Sequence, residues 1–318
     1  MKRISLWLMT WLALPWTALA QEYPTRPIRM VVPFLAGGPT DYTSRTVAGG
    51  LEKRLGQPVL VDNKPGGNTM IGIEIVAHAP ADGYTLAYVS PSFSTGPALY
   101  KTNYDPLKDF QPITQISTTT HVLLVNNDVP AKSVAELIQW LKVNGARANY
   151  ASVGTGSTTH MEAEAFKQMA GVEMSHIPYK GSAQAIVDLI AGRVQVSFDS
   201  TGSALPFIKD SRVRALAVAG PTRNHLLPAL PTVAEAGLPG YEFQVWIGMF
   251  APAGTPAPIV ERLSRDIRAT LREAVIRQKL IDANSDPVGS SVAEFTAFIR
   301  KDVEQAAALL KKANIKGE

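Results

Sequence analysis

The sequence predicts an α/β protein made of two lobes. Short strand-like runs alternate with helical stretches along most of the chain, as in sheets with helices packed on their faces. Two loops of small residues each follow a strand and open a helix, the first at 33–41 and the second at 152–160. The 318 residues, of which 46% are hydrophobic, exceed what one typical core holds. Two domains are therefore the natural expectation.

Residues 1–20 have the features of a secretory signal peptide. Lys2 and Arg3 precede an uncharged apolar run that ends in Ala18-Leu19-Ala20, a small-residue cleavage site, so the mature chain should begin at Gln21. The run is shorter than the roughly 20 apolar residues that a membrane-spanning helix needs. We therefore expect export to the periplasm and a soluble mature protein.

The composition argues against several classes of protein. There is no Cys, which removes disulfides, thiol catalysis and Cys-bound metals. Without residues 1–20, 29 Lys and Arg stand against 27 Asp and Glu, and the basic residues are scattered. This charge is too small for a polyanion binder, so we expect no nucleic-acid partner. The five His have no metal-binding spacing, and we expect neither a metal nor a cofactor.

The first part of the chain reads as strands and helices in alternation. A helix at 40–55 should end at Gly56 in a left-handed conformation, and Gly49 and Gly50 inside it suggest close packing against a strand. A second helix is predicted at 72–79, and the segment 90–110 reads as irregular. Strands are predicted at 28–34, 59–62, 84–89, 113–116 and 121–125.

The rest of the chain follows the same alternation and then changes. Capping boxes at 133–136 and 159–162 open helices that should end at Gly145 and Gly171. Two long helices, 258–283 and 292–313, come last, with no strand between them and a capping box at 291–294. The other predicted elements are a helix at 182–191, a short helix at 232–236, and strands at 148–151, 176–178, 194–198, 213–218 and 245–251.

The two small-residue loops, which we call the first and second glycine loops, carry the chemistry. Glycines let the backbone turn sharply and bring several N–H groups together. The helix that follows adds unpaired N–H donors and the positive end of its dipole. Such a loop binds an anion without a charged side chain. Two of them facing each other across two domains would hold a ligand with two polar ends.

Other functions find weaker support in the residues. Gly154-x-Gly156 lacks the third glycine of a dinucleotide fingerprint, and no phosphate-binding P-loop motif is present. No nucleophile-elbow motif supports a hydrolase. His160, at a helix start, reads as a cap or a ligand hydrogen-bonder rather than a base. Asp41 and Asp199 are more simply a helix-start and a strand-end residue than a catalytic carboxylate pair. We therefore expect no enzyme.

The ordered motifs of the mature chain resemble the receptors of tripartite tricarboxylate transporters, the Bug or TctC-like family. The resemblance extends over essentially the whole mature chain. The motifs that carry it are Tyr23-Pro24-x-Arg26-Pro27, Val32-Pro33-Phe34, Gly37-Gly38-x-x-Asp41, Asn63-Lys64-Pro65-Gly66, Asp82-Gly83-Tyr84, Gly154-x-Gly156-Ser157-x-x-His160, Pro178-Tyr179-Lys180-Gly181, Leu230-Pro231-Thr232-Val233 and Ala251-Pro252-Ala253-Gly254.

The resemblance implies a type II periplasmic binding-protein fold, in which two lobes close on a ligand. It implies capture of a small carboxylate (a di- or tricarboxylate, an amino acid or an aromatic acid) for membrane permease subunits, by a chain that we expect to be a monomer. Carried over position by position, the ligand-binding residues are Phe34, Gly37, Gly38, Thr40 and Asp41 in lobe one, and Ser152, Gly154, Thr155, Ser157, Thr158, His160 and Asp199 in lobe two.

Four sites depart from the family pattern. Gly67-Asn68-Thr69 replaces the usual Ala-Gly-Gly run. Leu35 stands where a small residue or proline is common and would narrow the mouth of the cleft. Asn284 replaces a Gly, and Asn is the next-best residue for a left-handed helix end. Ala306 stands where a Trp is common, which alters the local packing.

The expected domain division follows from these elements. Lobe one should comprise 21–121 and 223–318, and lobe two 122–222, after a signal peptide at 1–20. Ligand capture should close the lobes. The alternative function is a periplasmic sensor that presents the same carboxylate to a histidine kinase, and the sequence does not separate the two.

Overall fold

The computed structural model describes residues 23–313 and 315, so the expected signal peptide lies outside the described residues. Strands and helices alternate, as the sequence predicts. In chain order, the strands are β1 (Ile28–Val32), β2 (Val59–Asn63), β3 (Thr85–Val89), β4 (Phe110–Thr119), β5 (His121–Val125), β6 (Asn149–Ser152), β7 (Ser175–Pro178), β8 (Val196–Ser200), β9 (Arg214–Val218), β10 (Val245–Pro252) and β11 (Asp286–Pro287).

The helices fill the connections between these strands. Short 3₁₀ turns at Gly67–Thr69 and Gly145–Arg147 precede α2 and follow α4. The α-helices are α1 (Pro39–Leu55), α2 (Met70–Ala77), α3 (Ser92–Leu99), α4 (Val134–Asn144), α5 (Thr158–Ala170), α6 (Ser182–Ile190), α7 (Thr201–Lys209), α8 (Ala257–Leu271), α9 (Ala274–Asp282) and α10 (Val292–Lys312). Among the helices described, none is both long and apolar enough to cross a bilayer.

The strands form two sheets. The first has the order β11-β4-β10-β3-β1-β2, with β1 parallel to β2 and β3, and β10 antiparallel to β3 and β4. The second has the order β7-β6-β8-β5-β9, with β6 parallel to β7 and β8. We call each sheet with its helices a lobe. Positions 28–119 and 245–287 supply the first sheet and 121–218 the second. The domain boundaries near 121 and 223 stay a prediction.

Each sheet has an apolar cluster on both faces, as a helix–sheet–helix sandwich requires. On the first sheet, one cluster includes Leu51 of α1 and Leu263 of α8. The other includes Phe93 of α3, Trp246 of β10 and Phe295 of α10. Trp246 is fully buried in this core. Because helices cover both faces of each sheet, we expect a ligand site at the ends of the strands.

Gly50 of α1 packs closely, but not against a strand as expected. A Cβ on Gly50 would lie 2.5 Å from Cγ2 of Thr270 and 3.3 Å from Ile276, which belong to α8 and α9. The partner is therefore a helix pair, and Gly allows the helices to approach. Gly49 has no such neighbour. Gly56 ends α1 with φ of 68°, as predicted.

The prediction of an irregular 90–110 segment is wrong, because Ser92–Leu99 forms α3. The segment was predicted as irregular because Gly96 and Pro97 have a low helix propensity. Tertiary packing overrides this preference, since Phe93 is buried against Phe250 with ring centroids 4.6 Å apart. Pro97 has no N–H for the Phe93 carbonyl, which instead accepts a 3.5 Å hydrogen bond from the Tyr104 hydroxyl.

The capping box predicted at 159–162 is also wrong. Ser157 caps α5, and its Oγ accepts from the His160 N–H. Thr159 Oγ1 instead accepts from the Val153 N–H at 3.0 Å, and Glu162 is buried. The helix thus begins two residues closer to the glycines. By contrast, the capping box at 291–294 is present.

The predicted helix 258–283 is two helices, α8 and α9. Glu273 adopts an extended conformation between them and forms an ion pair with Arg54 of α1 at 2.7 Å. Asn284 then takes φ of 56°, the left-handed conformation expected of it. It leads into β11, which pairs with β4, so the expectation of no strand here is wrong.

Two further differences are local. The segment 232–236 is a hydrogen-bonded turn rather than a helix, with Thr232 Oγ1 accepting from the Glu235 N–H. The helix α7 was not predicted, and Pro206 inside it explains why.

The lobes are joined on one side by the chain itself and by α10. Thr120 alone separates β4 of the first sheet from β5 of the second. The helix α10 packs on lobe one through Phe295 and Ile299, and its far end reaches lobe two. There the Leu309 carbonyl accepts a 3.3 Å hydrogen bond from Gln168 of α5. The space between α10 and α5 is therefore bounded by both lobes.

Candidate functional site

The first glycine loop turns the chain from β1 into α1. Gly37 has φ of 83°, in the left-handed region that Gly adopts without a steric penalty. Gly38 is the N-cap of α1, and Thr40 is half-buried in its first turn. Phe34 packs on the lobe-one core, whereas Leu35 is 74% exposed. The loop therefore presents its glycine backbone and one apolar side chain at the surface.

Asp41 braces this loop from inside. Its Oδ2 accepts hydrogen bonds from the Gly37 N–H at 2.9 Å and from Arg45 at 3.0 Å, and its Oδ1 accepts from Asn63 at 3.0 Å. The bond from Arg45, with those from Gly37 and Asn63, lowers the pKa of Asp41 to about 2 against the effect of burial. Both carboxylate oxygens are therefore occupied within lobe one.

The second glycine loop is held by its own side chains. Gly154 and Gly156 have φ of 128° and 74°, which favour Gly. Ser152 Oγ donates to the Gly154 carbonyl and accepts from the Gly154 N–H, both at 3.1 Å, and lies 2.6 Å from Nε2 of His176. The hydroxyl of Ser152 is therefore used in shaping the loop.

His160 fixes the same loop from below. Its Nδ1 accepts a 2.9 Å hydrogen bond from the Gly156 N–H, and its ring stacks on His176 with centroids 3.9 Å apart. Burial, together with the neighbouring His176, lowers the pKa of His160 to about 3. The imidazole is therefore neutral at physiological pH and acts as an acceptor for the backbone.

The second glycine loop touches lobe one at α3. The Gly156 carbonyl accepts from Thr95 Oγ1 at 3.3 Å, and the Thr155 carbonyl accepts from the Tyr100 hydroxyl at 3.4 Å. A Cβ on Gly156 would collide with Cδ1 of Leu99. The lobes are thus in direct contact at this loop.

Beside this contact lies a cavity of about 620 Å³, bounded by α3, α5, α10 and the segment that leads into β10. We call it the interlobe cavity. Its polar lining comes from both lobes, and its apolar lining from α5, α10 and Phe243. The residues that line it are Pro91, Ser92, Thr95, Gly156, Thr158, Met161, Ala165, Gly240, Glu242, Phe243, Gln244, Phe298, Lys301, Asp302, Gln305, Ala306, Ala308 and Leu309.

Of the residues predicted to bind ligand, Gly156 borders this cavity together with Thr158. The five predicted residues of the first glycine loop do not line it; they lie across the same end of the first sheet, beyond β3. Gly154, Thr155 and Ser157 belong to the loop at its edge, and Ser152 and His160 support that loop. The assignment of these residues to a ligand stays a prediction.

Asp199, at the end of β8, belongs to a buried group of titratable side chains. Its Oδ1 accepts from the Ser182 hydroxyl and the Ser200 N–H, both at 2.7 Å, and burial raises its pKa. Nearby, Nδ1 of His121 lies 2.6 Å from Oε2 of the fully buried Glu162. Burial opposes a charge on His121, but the Glu162 carboxylate outweighs it and raises the pKa of the imidazole. This pair ties α5 to the strand that enters lobe two.

The sequence reasoning missed the lining that α3 and α10 contribute. Ser92 and Thr95 were placed in an irregular segment, although the Ser and Thr run at 90–95 was a visible polar signal. Asp302 was read only as part of an amphipathic helix. No pattern in the sequence marks it, because its environment comes from distant residues. Ala306, one of the departures from the family pattern, lines the same wall.

Two helix N-termini meet at the cavity, one from each lobe. Ser92 is the first residue of α3 and Thr158 the first of α5, and both line it. The first N–H groups of a helix have no partner inside the helix, and its dipole favours negative charge there. The arrangement suits an anion. Within residues 23–313 and 315, His, Asp and Glu side chains form no cluster arranged for a metal ion.

Comparison with known proteins agrees with this architecture. Residues 43–315 match the family described as the tripartite tricarboxylate transporter family receptor, TctC. The protein BugT of Bordetella pertussis is 33% identical over 300 residues, which cover 93% of this chain and 92% of BugT.

Two solved structures share the fold and a third of the sequence. The periplasmic binding protein BugD is 35% identical, with a TM-score of 0.77, covering 93% of this chain and 100% of that one. Rpa4515 of R. palustris, solved with adipate, is 35% identical, with a TM-score of 0.80 and the same coverage. The fold is that of periplasmic binding proteins. The chain belongs to the tripartite tricarboxylate transporter receptor family and is a solute-binding protein of that family.

Proposed function

We propose that this protein captures a small carboxylate in the periplasm and delivers it to the permease subunits of a tripartite tricarboxylate transporter. The observation that carries the proposal is the interlobe cavity, on which the N-termini of α3 and α5 converge. Each lobe supplies one of the two, so a bound anion would hold the lobes together.

A carboxylate needs several donors when it leaves water, because a buried charge without partners is costly. The backbone N–H groups of Ser92 in α3 and of Thr158 and Thr159 in α5 are such donors, and each helix dipole adds about 0.3–1 kcal/mol. The next N–H groups of α3, those of Phe93 and Ser94, already donate to the Ser90 and Pro91 carbonyls. The hydroxyls of Ser92, Thr95 and Thr158 line the same region. The proposed site therefore neutralises an anion with dipoles from two lobes.

The predicted ligand-binding residues enter the proposal in two roles. Gly154, Thr155, Gly156, Ser157 and Thr158 form the lobe-two side of the site. On the lobe-one side, the backbone of the first glycine loop binds ligand at the mouth of the cleft. The braces of the two loops, Asp41 and His160 among them, act on the ligand only through the loop shape.

The relatives support the proposal that the ligand is a carboxylate. Rpa4515, 35% identical, was solved with adipate. The cavity of about 620 Å³ has room for a molecule of this class together with water. The signal-peptide features of residues 1–20 and the periplasmic relative BugD support the location.

A binding screen tests the proposal. The mature chain from Gln21 is heated with each of a set of amino acids, di- and tricarboxylates and aromatic acids, and hits are titrated by calorimetry. A ligand at about 1,000 times its Kd stabilises the folded state by about 4 kcal/mol. We expect at least one carboxylate to produce such a shift. If none does, while circular dichroism shows a folded protein, the carboxylate proposal is wrong.

A matched pair of variants tests the position of the site. Ala308→Trp places a large side chain in the cavity from α10, and Ala297→Trp places the same side chain on the exposed face of that helix. We expect A308W to weaken binding of the hit at least tenfold and A297W to leave it unchanged. Equal affinity of wild type and a folded A308W would remove the cavity from the site.

A test of the transport role requires experiments in cells. We expect the mature chain to be found in the periplasmic fraction with Gln21 at its N-terminus. Uptake of the radiolabelled hit should require the gene for this protein and a tripartite permease. Uptake that survives deletion of this gene would contradict the transport role while leaving ligand binding intact.

A further inference from the structure

The wall of the interlobe cavity on α10 contains an unusual group of polar atoms. Oδ2 of Asp302, Oγ of Ser94 and Nε1 of Trp246 are all enclosed and have no hydrogen-bond partner among the described residues. The hydroxyl of Ser94 and the indole N–H of Trp246 nevertheless face the Asp302 carboxyl as weak donors, and they lower its pKa against the larger, opposite effect of burial. Buried polar groups without partners are rare because each costs about 1–3 kcal/mol. Asp302 is therefore held in this wall at a cost to stability.

The other oxygen of Asp302 is available to the cavity. Asp302 lines the cavity, and of its two carboxyl oxygens only Oδ2 is enclosed without a hydrogen-bond partner, from which we infer that Oδ1 is on the cavity side. Ser94 and Trp246 pack behind the carboxyl, in lobe one. The carboxyl thus faces the space between the lobes with one oxygen.

The helix starts and the charged side chains around the cavity favour ligand groups of opposite charge. At the start of α5 the helix dipole favours an anion. The charged lining residues are Glu242, on the segment that leads into β10, and Lys301 and Asp302 of α10. Asp302 adjoins the first turn of α3 through Ser94, and Lys301 is exposed. Two acidic groups against one basic group give this lining a net negative charge, which disfavours a second carboxylate.

We propose that Asp302 is a specificity-determining residue that binds an ammonium group, and that the ligand is a zwitterion with a carboxylate at one end and an amine at the other. This inference rests on the proposed function, since it assumes that a carboxylate occupies the glycine-loop end of the cavity. The amine donates to Oδ1 of Asp302 and brings a positive charge to an acidic wall. A charge-assisted hydrogen bond of this kind is stronger than a neutral one.

Two pairs of ligands measure the effect of the amine on affinity. Adipate and 5-aminopentanoate have the same methylene chain and differ in one end group, a carboxylate or an ammonium. Succinate and 3-aminopropanoate make a shorter pair of the same design. Titrated into the mature chain at pH 7.5, the amino acid of at least one pair should bind at least tenfold more tightly than its diacid. Tighter binding of both diacids would overturn the proposal.

Variants assign the preference to Asp302. Asp302→Asn keeps the shape and removes the charge, so we expect it to lose at least tenfold in affinity for the preferred amino acid while diacid affinity stays equal or improves. Asp210→Asn, on the exposed end of α7, is the control and should change neither. An unchanged preference in a folded D302N would refute the role of Asp302.

The remaining outcomes are also decisive. If Lys301→Gln weakens the diacid and D302N has no effect, Lys301 binds a second carboxylate and the zwitterion proposal is wrong. If no amino acid, diacid or other carboxylate binds, the proposed function itself fails. Binding of carboxylates without an amine preference leaves the proposed function in place and removes only the role of Asp302.

Discussion

Nδ1 of His160 accepts a hydrogen bond from the Gly156 N–H at 2.9 Å, so the first turn of α5 holds the second glycine loop through this imidazole as well as through Thr159 Oγ1. The bond requires Nδ1 to be unprotonated, which a pKa of about 3 ensures. The ring also stacks on His176, which fixes its orientation. The loop that touches lobe one is therefore shaped by a residue that a sequence motif would assign to the ligand.

Replacing His160 tests this brace. In His160→Phe the ring still stacks, but the buried Gly156 N–H loses its acceptor, so we expect a loss of about 1–3 kcal/mol in unfolding free energy. His160→Asn, whose amide oxygen stands near the position of Nδ1, should recover much of it. Urea unfolding at pH 7.5 measures both. Equal stability of H160F and wild type would mean that the bond contributes nothing.

The same residue makes stability depend on pH. The pKa of His160 is lower in the folded protein than the usual 6.5, so the unfolded chain binds the proton more readily. The contribution of neutral His160 to the free energy of unfolding is complete above about pH 6.5 and declines as the pH falls towards 3. The stability advantage of wild type over H160N should therefore shrink from pH 7 to pH 5. In NMR spectra, the His160 ring signals should not titrate over that range.

Gly156 and Gly171 form a matched pair for testing contact between the lobes. Both have positive φ, 74° and 62°, so an Ala substitution strains both, by about 1 kcal/mol. Only at Gly156 does the new Cβ also collide with Leu99 of lobe one. We expect G171A to lose stability without changing ligand affinity, and G156A to lose affinity about tenfold as well, from roughly 1–3 kcal/mol of overpacking.

The double variant G156A/L99A separates collision from strain. Removing the Leu99 side chain makes room for the new Cβ, so affinity should return towards the wild-type value in calorimetric titrations. If G156A binds ligand as wild type does, the contact between this loop and α3 has no part in holding the ligand.

Asp41 makes a second pH-dependent contribution to the free energy of unfolding. Its pKa is lowered from 3.8 to about 2 by Arg45, Gly37 and Asn63, so its charged form stabilises the folded state above about pH 4. Because Arg45 is half-exposed, solvent reduces the effect, and we expect Asp41→Asn to cost about 1–2 kcal/mol at pH 7. The difference between D41N and wild type should narrow as the pH falls from 4 to 2.

Much of the fold could be predicted because its signals are local. The left-handed ends at Gly56 and Asn284, the capping box at Ser291 and the strand before each glycine loop depend on neighbours in sequence. The helix α3 could not be predicted in this way. Gly96 and Pro97 oppose it locally, and only burial of Phe93 in the lobe-one core explains why it forms.

The roles of the site residues show the same limit. Asp41 was assigned to the ligand from its place in a motif, but its carboxylate is held by Asn63, 22 residues further along the chain. Thr158 borders the interlobe cavity, as an anion-binding helix start would. Asp302 could not be identified, because its wall is completed by Ser94 and Trp246, which are distant in sequence. The spacing of residues in the sequence predicts where the backbone turns, whereas tertiary packing determines what each side chain contacts.

Asp302 should destabilise the unliganded protein at neutral pH. Burial outweighs Ser94 and Trp246 and raises its pKa from 3.8 to about 6, so the folded state binds the proton more tightly than the unfolded chain. The stability associated with this group is complete below about pH 4 and is lost as the pH rises through 6. At 1.36 kcal/mol per pKa unit the limit is about 3 kcal/mol, which partial solvent access reduces to about 1–2 kcal/mol.

Asp302→Asn removes this penalty because its amide carries no charge. We expect D302N to be more stable than wild type by about 1–2 kcal/mol at pH 7.5 and equal to it at pH 4, in urea unfolding without ligand. Asp210→Asn, which is exposed, should show no such difference. A D302N protein that is less stable at pH 7.5 would mean that the charged carboxyl stabilises this wall, contrary to the unpaired Oδ2. A more stable D302N that has lost its preference for amino acids would show that the chain keeps a destabilising carboxylate for recognition.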